Sequence, residues 1–335
     1  MTMQPLQVAV VGLGVGEQHA LTYAGLEGCQ VRWVYDLDPA RAGEVVTRVG
    51  QGRVAASFEA ILADPAVDLV SIASYDDAHA REVLAALAAG KHVFVEKPLC
   101  LTEAELAAVQ RAAREAKRHL ASNLVLRAAP LYRHLKTLVA RGDLGTIYAF
   151  DGDYLYGRLH KITDGWRGEI PDYSVMLGGG IHLVDLMLGI SGQRPSAVSA
   201  SGNRISTSGT RFASHDFVAA TYEFPSGLVG RITANFGSVH RHHHVVRVFG
   251  TRGTFIYDDA GARLHRDRDP ATAATALDLA PLPPSKGVLI PEFVAGIRAG
   301  ADPCAAAERE FDVIAACIAA DQALAIGKPI EVHYE

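Results

Sequence analysis

Three stretches of the chain carry side chains whose types and spacing could do chemistry. In the first, "VAVVGLGVGEQH" (residues 8–19), an apolar run ends in Gly12, Gly14 and Gly16 before an amphipathic segment begins. Glycines at such a turn let backbone amides and the next helix's N-terminus approach a pyrophosphate. The dinucleotide spacing G-x-G-x-x-G would place the third glycine at position 17, but Glu17 stands there and the glycine comes one residue early. Asp36 ends the next apolar run, "CQVRWVYD", where a carboxylate is expected to hold the ribose hydroxyls of an adenosine. Because that carboxylate would repel a 2′-phosphate, NAD is expected over NADP.

The second stretch, "HVFVEKPL", ends a buried run in Glu96-Lys97-Pro98. Open α/β sheets bind ligands at the carboxyl ends of their strands, so Lys97 falls where it could exchange a proton with a bound substrate. The competing reading is a surface Glu96–Lys97 pair ahead of a turn. The third stretch is "LGGGIHLVDLMLG", where His182 and Asp185 are three apart and share a helix face. A histidine there can relay a proton from a hydroxyl, and the three glycines would let backbone approach a ligand. The bland alternative is a glycine-rich helix start with an incidental His–Asp pair. In "SVHRHHHVV", His240, His242 and His244 would face one way in a strand. They have no cysteine or carboxylate companion at a telling spacing, so a polar sheet face or subunit contact is expected rather than a metal site. His215-Asp216 reads as the polar start of a strand.

The elements that must position these residues fall into two patterns. Up to about residue 123, short apolar runs alternate with amphipathic stretches, as in βαβ units on a parallel sheet. Thr102 and Glu105 form a capping-box signature ahead of a helix. Beyond residue 123 the strands are longer and alternate apolar with polar residues, as in an antiparallel sheet with one free face. "FVAATYEFPSGLVGRITANFGSV" reads as a hairpin, and 268–290 as the irregular segment. The expected architecture is α/β: a doubly wound dinucleotide-binding domain (1–123), then an α+β domain on a mainly antiparallel open sheet (124–335). The closing helix, about 304–327, is expected to pack back on the first domain.

Composition narrows the function classes. The chain has 335 residues, 49% hydrophobic and 21% charged, with a net charge of −5 and no long run of one sign. That pattern offers no electrostatic footprint for nucleic acid or an anionic membrane. The four cysteines are dispersed, and the N-terminus has no basic stretch before its first apolar run. A soluble protein of the reducing cytoplasm is expected.

Taken together, these motifs resemble the Gfo/Idh/MocA oxidoreductases (glucose–fructose oxidoreductase, inositol dehydrogenase and relatives). The likeness spans nearly the whole chain, from the glycine turn through "AGKHVFVEKPL", "LYRHLKTLVARGDLG" and "GGGIHLVD" to "VRVFGTRGTF". It implies a nicotinamide cofactor and a sugar, polyol or nucleotide-sugar substrate. It also implies a homodimer or homotetramer formed through the open sheet face. Lys97 becomes the acid/base or orienting group and His182 the main proton acceptor. Cofactor contacts are implied for Gly12, Gly14, Val15, Gly16, Asp36, Ser74, His79, Glu96, Lys97 and Asn123. Trp166, Arg167 and Tyr173 are implied to face the substrate, with Tyr154 and Tyr156 weaker candidates, and Arg167 suits a carboxylate or phosphate.

The sequence departs from the family pattern in three places. Gly178 stands where many polyol-oxidising members carry an aspartate, and Asp185 is left to orient His182 from the other side. Ser74-Tyr75 replaces a Thr-Pro turn. The glycine loop is one residue short, so Gly16 serves as third glycine and Glu17 should point away from the phosphates. Two other functions remain open on this fold: an NAD-dependent glycosidase using transient oxidation, and a non-catalytic NAD-sensing regulator.

Overall fold

The computed structural model describes residues 4–334, the side chain at 306 excepted. The chain forms two compact units, Met1–Val125 with Pro284–Phe311, and Leu126–Pro283 with Asp312–Glu335.

The first unit is built on six strands: β1 (Leu6–Val11), β2 (Cys29–Tyr35), β3 (Arg53–Val54), β4 (Leu69–Ile72), β5 (His92–Val95) and β6 (Leu120–Ser122). They lie in the order β3-β2-β1-β4-β5-β6, all parallel. The order reverses beside β1, which is the topological switch point of a doubly wound sheet, where ligands bind at the strand ends. Val8, Ala9 and Val10 of β1 and all four residues of β4 are buried, as a strand covered on both faces requires.

Helices α1 (Gly16–Gly25), α2 (Pro39–Val49), α3 (Phe58–Ala63), α4 (His79–Ala88) and α5 (Glu103–Ala116) connect the strands. Their ends follow local chemistry. Asp38 caps α2 by accepting from the Ala40 and Arg41 amides, and Gly50 ends it in the left-handed region. Thr102 and Glu105 form the expected capping box of α5.

The second unit carries helices α6 (Pro130–Ala140), α7 (His160–Thr163) and α8 (Ile181–Ser191). Its sheet contains β7 (Ile147–Leu155), β8 (Ala197–Asn203), β9 (Phe217–Glu223), β10 (Val229–Asn235), β11 (His243–Gly250), β12 (Thr254–Asp258), β13 (Gly261–His265), β14 (Thr275–Ala276) and β15 (Ile330–Glu331). The order is β14-β13-β12-β11-β7-β10-β9-β8-β15. Every pairing is antiparallel except that of β7 with β10, which is parallel and lies mid-sheet. Helix α8 presses on this centre. A Cβ at Gly152 of β7 would crowd Leu183, and one at Gly230 of β10 would run into Met187. The opposite face carries charged ladders, with Arg231 on Asp151 at 2.9 Å and Arg247 on Asp153 at 3.3 Å.

One feature differs from the sequence reading. Residues 284–311, read there as part of the second domain, cluster with the first unit. The reason is aromatic and polar packing: Phe293 of α9 (Ile290–Arg298) lies on Phe94, and Arg298 donates to the carbonyl of Gly28. Helix α10 (Pro303–Ile326) belongs to the first unit up to Phe311 and to the second from Asp312.

Candidate active site

The glycine turn leads from β1 into α1 with three glycines in three different situations. Gly12 has φ +77, and a Cβ there would strike the backbone of Ala73 and Ser74, so the turn is pressed against the end of β4. At Gly14 a Cβ would meet nothing within 4 Å, so that backbone lies open. Gly16 is buried, and a Cβ there would touch Val10 and Ala73 at 3.2 and 3.3 Å, the tight helix–strand packing of a third fingerprint glycine. Val15, at the N-cap, provides no side-chain cap for α1. The Gln18 amide donates to the Val15 carbonyl at 2.9 Å, and the amides before it in the first turn take no side-chain cap from the N-cap residue. Glu17 turns to α2, where Arg48 Nε lies 3.1 Å from its carboxylate. Asp36 fastens this turn to the end of β2: one oxygen accepts the Leu13 amide at 2.6 Å and the other the Asp38 amide at 3.0 Å. A carboxylate offers about four acceptor sites, so both oxygens can still accept hydroxyls.

At the ends of β5 and β6 a buried polar network surrounds Glu96. The His19 Nε2 lies 3.3 Å from Glu96 Oε1, and Asn123 Nδ2 donates to the same oxygen at 2.7 Å. Ser71 Oγ, 3.0 Å from His19 Nδ1, fixes the far side of that ring. Asn123 also donates to the Lys286 carbonyl at 2.8 Å, and its Oδ1 is buried without a hydrogen-bond partner among the described residues. Burial opposes ionisation of Glu96. The hydrogen bond and charge of His19, the Asn123 amide and the field of Lys97 outweigh it and hold the carboxyl at about 2. Glu96 is thus a fixed anion directly before Lys97. His79, implied as a cofactor contact, has both nitrogens on backbone: Nδ1 on the Pro98 carbonyl at 2.7 Å and Nε2 on that of Ser74 at 3.2 Å. It braces one strand-end loop against the other. Ser74 donates its hydroxyl to Glu82 at 2.6 Å.

In the second unit the glycines of "LGGGIH" form a π-helical turn, Met176–Gly180, leading into α8. Here the sequence reading needs correcting. These glycines accommodate the protein's own side chains rather than a ligand. A Cβ at Gly178 would overlap the Tyr173 hydroxyl, one at Gly179 the Tyr154 ring, and one at Gly180 would press on Met176. The Tyr173 hydroxyl therefore fills the space that a side chain at 178 would take. The turn places His182 beside Tyr154, ring centroids 6.3 Å apart and nearly parallel. Tyr156 stacks on Phe236 at 4.3 Å, and Tyr173 meets the same ring edge-on at 6.2 Å. Asp185 is fully buried, and Arg127 grips both of its oxygens from 2.8 to 3.0 Å. That bidentate partner, 58 residues away in the chain, leaves no local trace in the sequence, and it fixes the face of α8 that carries His182.

The histidine run is the second correction. His240 lies ahead of β11 and pairs with Asp259 at 2.9 Å, so the three do not share a face. His242 and His244 instead gather at Tyr154, each 5.3 Å from its centroid, and His244 lies 6.3 Å from His182. His244 is buried, not part of an outer polar face, because it is paired with Tyr154 across β7 and β11 on the side covered by α8. Among the described residues no three of His, Cys, Asp or Glu are grouped as metal ligands. His215-Asp216 just precedes β9, and Asp216 is buried, accepting from the amide and hydroxyl of Thr207.

Residues 6–124 match the family described as "Oxidoreductase family, NAD-binding Rossmann fold", and residues 132–256 match "GFO/IDH/MocA C-terminal domain". The chain belongs to the Gfo/Idh/MocA oxidoreductase family. Among family relatives, inositol 2-dehydrogenase of Acidothermus cellulolyticus is 36% identical over 147 residues, which is 43% of each chain. The 1,5-anhydro-D-fructose reductase of Ensifer adhaerens is 35% identical over 168 residues, 45% of this chain and 48% of the reductase. The match thus spans about half the length of these two curated relatives. Levoglucosan dehydrogenase has the same fold, with a TM-score of 0.86 at 21% identity, covering 99% of this chain and 100% of that one. Scyllo-inositol dehydrogenase of Lactobacillus casei, solved with NAD(H) and scyllo-inositol, gives a TM-score of 0.80 at 20% identity, with 98% and 99% coverage.

The cofactor named for the family's Rossmann domain is NAD, and the first unit fits it. Gly14 leaves room for a phosphate, α1 presents uncapped amides, Asp36 has acceptors to spare, and the Asn123 Oδ1 is an unused buried acceptor.

Proposed function

We propose that this protein is an NAD-dependent oxidoreductase that moves a hydride between nicotinamide and a hydroxyl or keto carbon of a sugar, inositol or nucleotide-linked sugar. The single observation that carries the reading is the network that holds Glu96 ionised at the strand ends, immediately before Lys97. So many buried polar groups around one carboxylate are costly unless they fix a working geometry. When bound, NAD supplies the hydride acceptor.

The remaining work falls to side chains. His182 takes the substrate's hydroxyl proton, and the Lys97 ammonium stabilises the developing alkoxide. Glu96 holds the Lys97 ammonium in place, Arg127–Asp185 fixes α8, and the aromatic rings around Tyr154 exclude water. In the reducing direction the same groups return the proton. The substrate-facing set is Tyr154, Tyr156, Trp166, Arg167 and Tyr173, to which we add His242 and His244. Asp36 favours NAD over NADP by its charge.

We further propose assembly as a homodimer or homotetramer through the ladder-bearing face of the second sheet. The alternation of buried and solvent-facing residues along β10 supports this, and analytical ultracentrifugation tests it. All four cysteines are free thiols, in keeping with a cytoplasmic setting. The direct test of function is a panel of sugars, inositols, uronates and nucleotide sugars with NAD, read by absorbance of the reduced nicotinamide. Net accumulation of NADH is expected. A cycle that returns every hydride, as in an oxidative glycosidase, would leave none and would overturn the reading.

A further inference from the structure

The second unit gathers positive charge around the Tyr154 hydroxyl. Arg158 hydrogen-bonds to it, and the fields of Arg158 and Arg167 both reach it, although burial keeps the phenol protonated. Each guanidinium lies over a ring: Arg158 4.8 Å from the Tyr156 centroid, and Arg167 4.2 Å from that of Trp166. The Arg158 Nε is buried without a hydrogen-bond partner among the described residues. Glu169 pairs with Arg211 at 3.0 Å, Asp164 accepts from Thr163, and one oxygen of Asp216 accepts from Thr207. A buried guanidinium donor with no internal acceptor is the kind of group that an incoming anion completes. His182 and Arg158 flank the same tyrosine, so one small molecule could meet both.

We propose that this site takes a sugar bearing a carboxylate, and that Arg158 is the specificity-determining residue that binds the carboxylate through its Nε edge. The edge of a guanidinium offers two parallel N–H donors, which match two coplanar carboxylate oxygens better than a tetrahedral phosphate dianion. Arg167 adds a second positive field, and the neutral Tyr154 hydroxyl positions Arg158. This inference rests on the oxidoreductase reading above and names its substrate class.

The test compares matched pairs, D-glucuronate with D-glucose and D-galacturonate with D-galactose, together with D-glucose 6-phosphate, by NADH formation. In the native protein kcat/KM should favour the acid of at least one pair by ~10-fold or more, the scale of a charge-assisted pair. Arg158→Gln should collapse the acid-to-neutral ratio by about the same factor, chiefly through KM. Arg158→Lys keeps the charge but loses the fork, and should restore only part of it. Equal or better use of the neutral sugars, a sugar phosphate used better than every acid, or a ratio untouched by Arg158→Gln would overturn the proposal. If no sugar reduces NAD, the oxidoreductase reading fails by itself. Calorimetric titration of glucuronate and glucose into the NADH-loaded protein then judges the anion site separately. Tighter glucuronate binding that Arg158→Gln abolishes supports it, and equal binding overturns it.

Discussion

A methyl group added at Gly14 would meet no protein atom within 4 Å, whereas one added at Gly178 would run into the Tyr173 ring. Both positions belong to glycine-rich turns that enter a helix beside a candidate site, and in sequence they look alike. The first turn is kept open on its outer side, and its helix is left uncapped, as suits a charged ligand that brings its own acceptors. The second is packed solid with the protein's own tyrosines and methionine, and its glycines serve to bring Tyr154 close to His182. The same contrast holds for the side chains nearby. Lys97 follows a carboxylate fixed by charge and hydrogen bonds, while His182 is set by ring packing and by the Asp185–Arg127 pair. Charge organises the surroundings of the first turn, and ring packing those of the second.

The largest expected effect separates chemistry from binding at the charged end. Lys97→Ala should lower kcat by ~10²-fold or more, as for loss of a positioned proton-transfer group, with NAD affinity by fluorescence titration little changed. Unchanged turnover would remove Lys97 from the mechanism. Next comes the fixed anion. The Glu96 carboxyl lies at about 2 in the folded protein against an ordinary 4.5, so it stabilises the fold fully above 4.5, and that contribution is lost as pH falls through 2. Glu96→Gln should therefore cost on the order of 3 kcal/mol at neutral pH. Denaturant melts of variant and wild type should converge as pH drops below 4.5. A gap that stays constant would break the idea that charge holds this end.

The two turns can be set directly against each other. Gly178→Ala should cost about 1–3 kcal/mol by forcing Tyr173 aside. Gly14→Ala should leave stability nearly intact and weaken NAD binding instead. If both variants lost the same stability, the contrast between an open and a filled turn would be wrong. The smallest effect is expected from Asp36→Ala, which should weaken NAD by roughly 10-fold, the scale of one charged hydrogen bond, and narrow its lead over NADP. A wild type that already prefers NADP would reverse the assigned role of Asp36.

Much of the frame was legible in the sequence because it is local. The strand–glycine–helix order at β1, the capping box at Thr102 and the alternation of β9 and β10 each depend on residues a few positions apart. The shortened glycine loop is local too, and its Glu17 pairs with Arg48 of α2. What escaped is non-local. Asn123 reaches Glu96 and His19 across parallel strand ends, and Arg127 reaches Asp185 across 58 residues. The parallel pairing of β7 with β10 leaves no periodic trace. The burial of His244 is not legible in the sequence, because a strand pattern says which residues share a face and not which face is covered. The alternation puts His240 on the same face, but strand β11 begins only at His243. Gly178 was legible as a departure, but only the fold shows that Tyr173 fills the gap.

The central claim is that hydride moves between a substrate carbon and nicotinamide. Its most direct measurement is the fate of deuterium placed on the reacting carbon of whichever panel sugar the protein turns over. The account predicts one deuterium on C4 of the reduced nicotinamide for each sugar oxidised, together with a slowed rate. Label released to water, or no turnover of any sugar by protein that binds NAD, would contradict it.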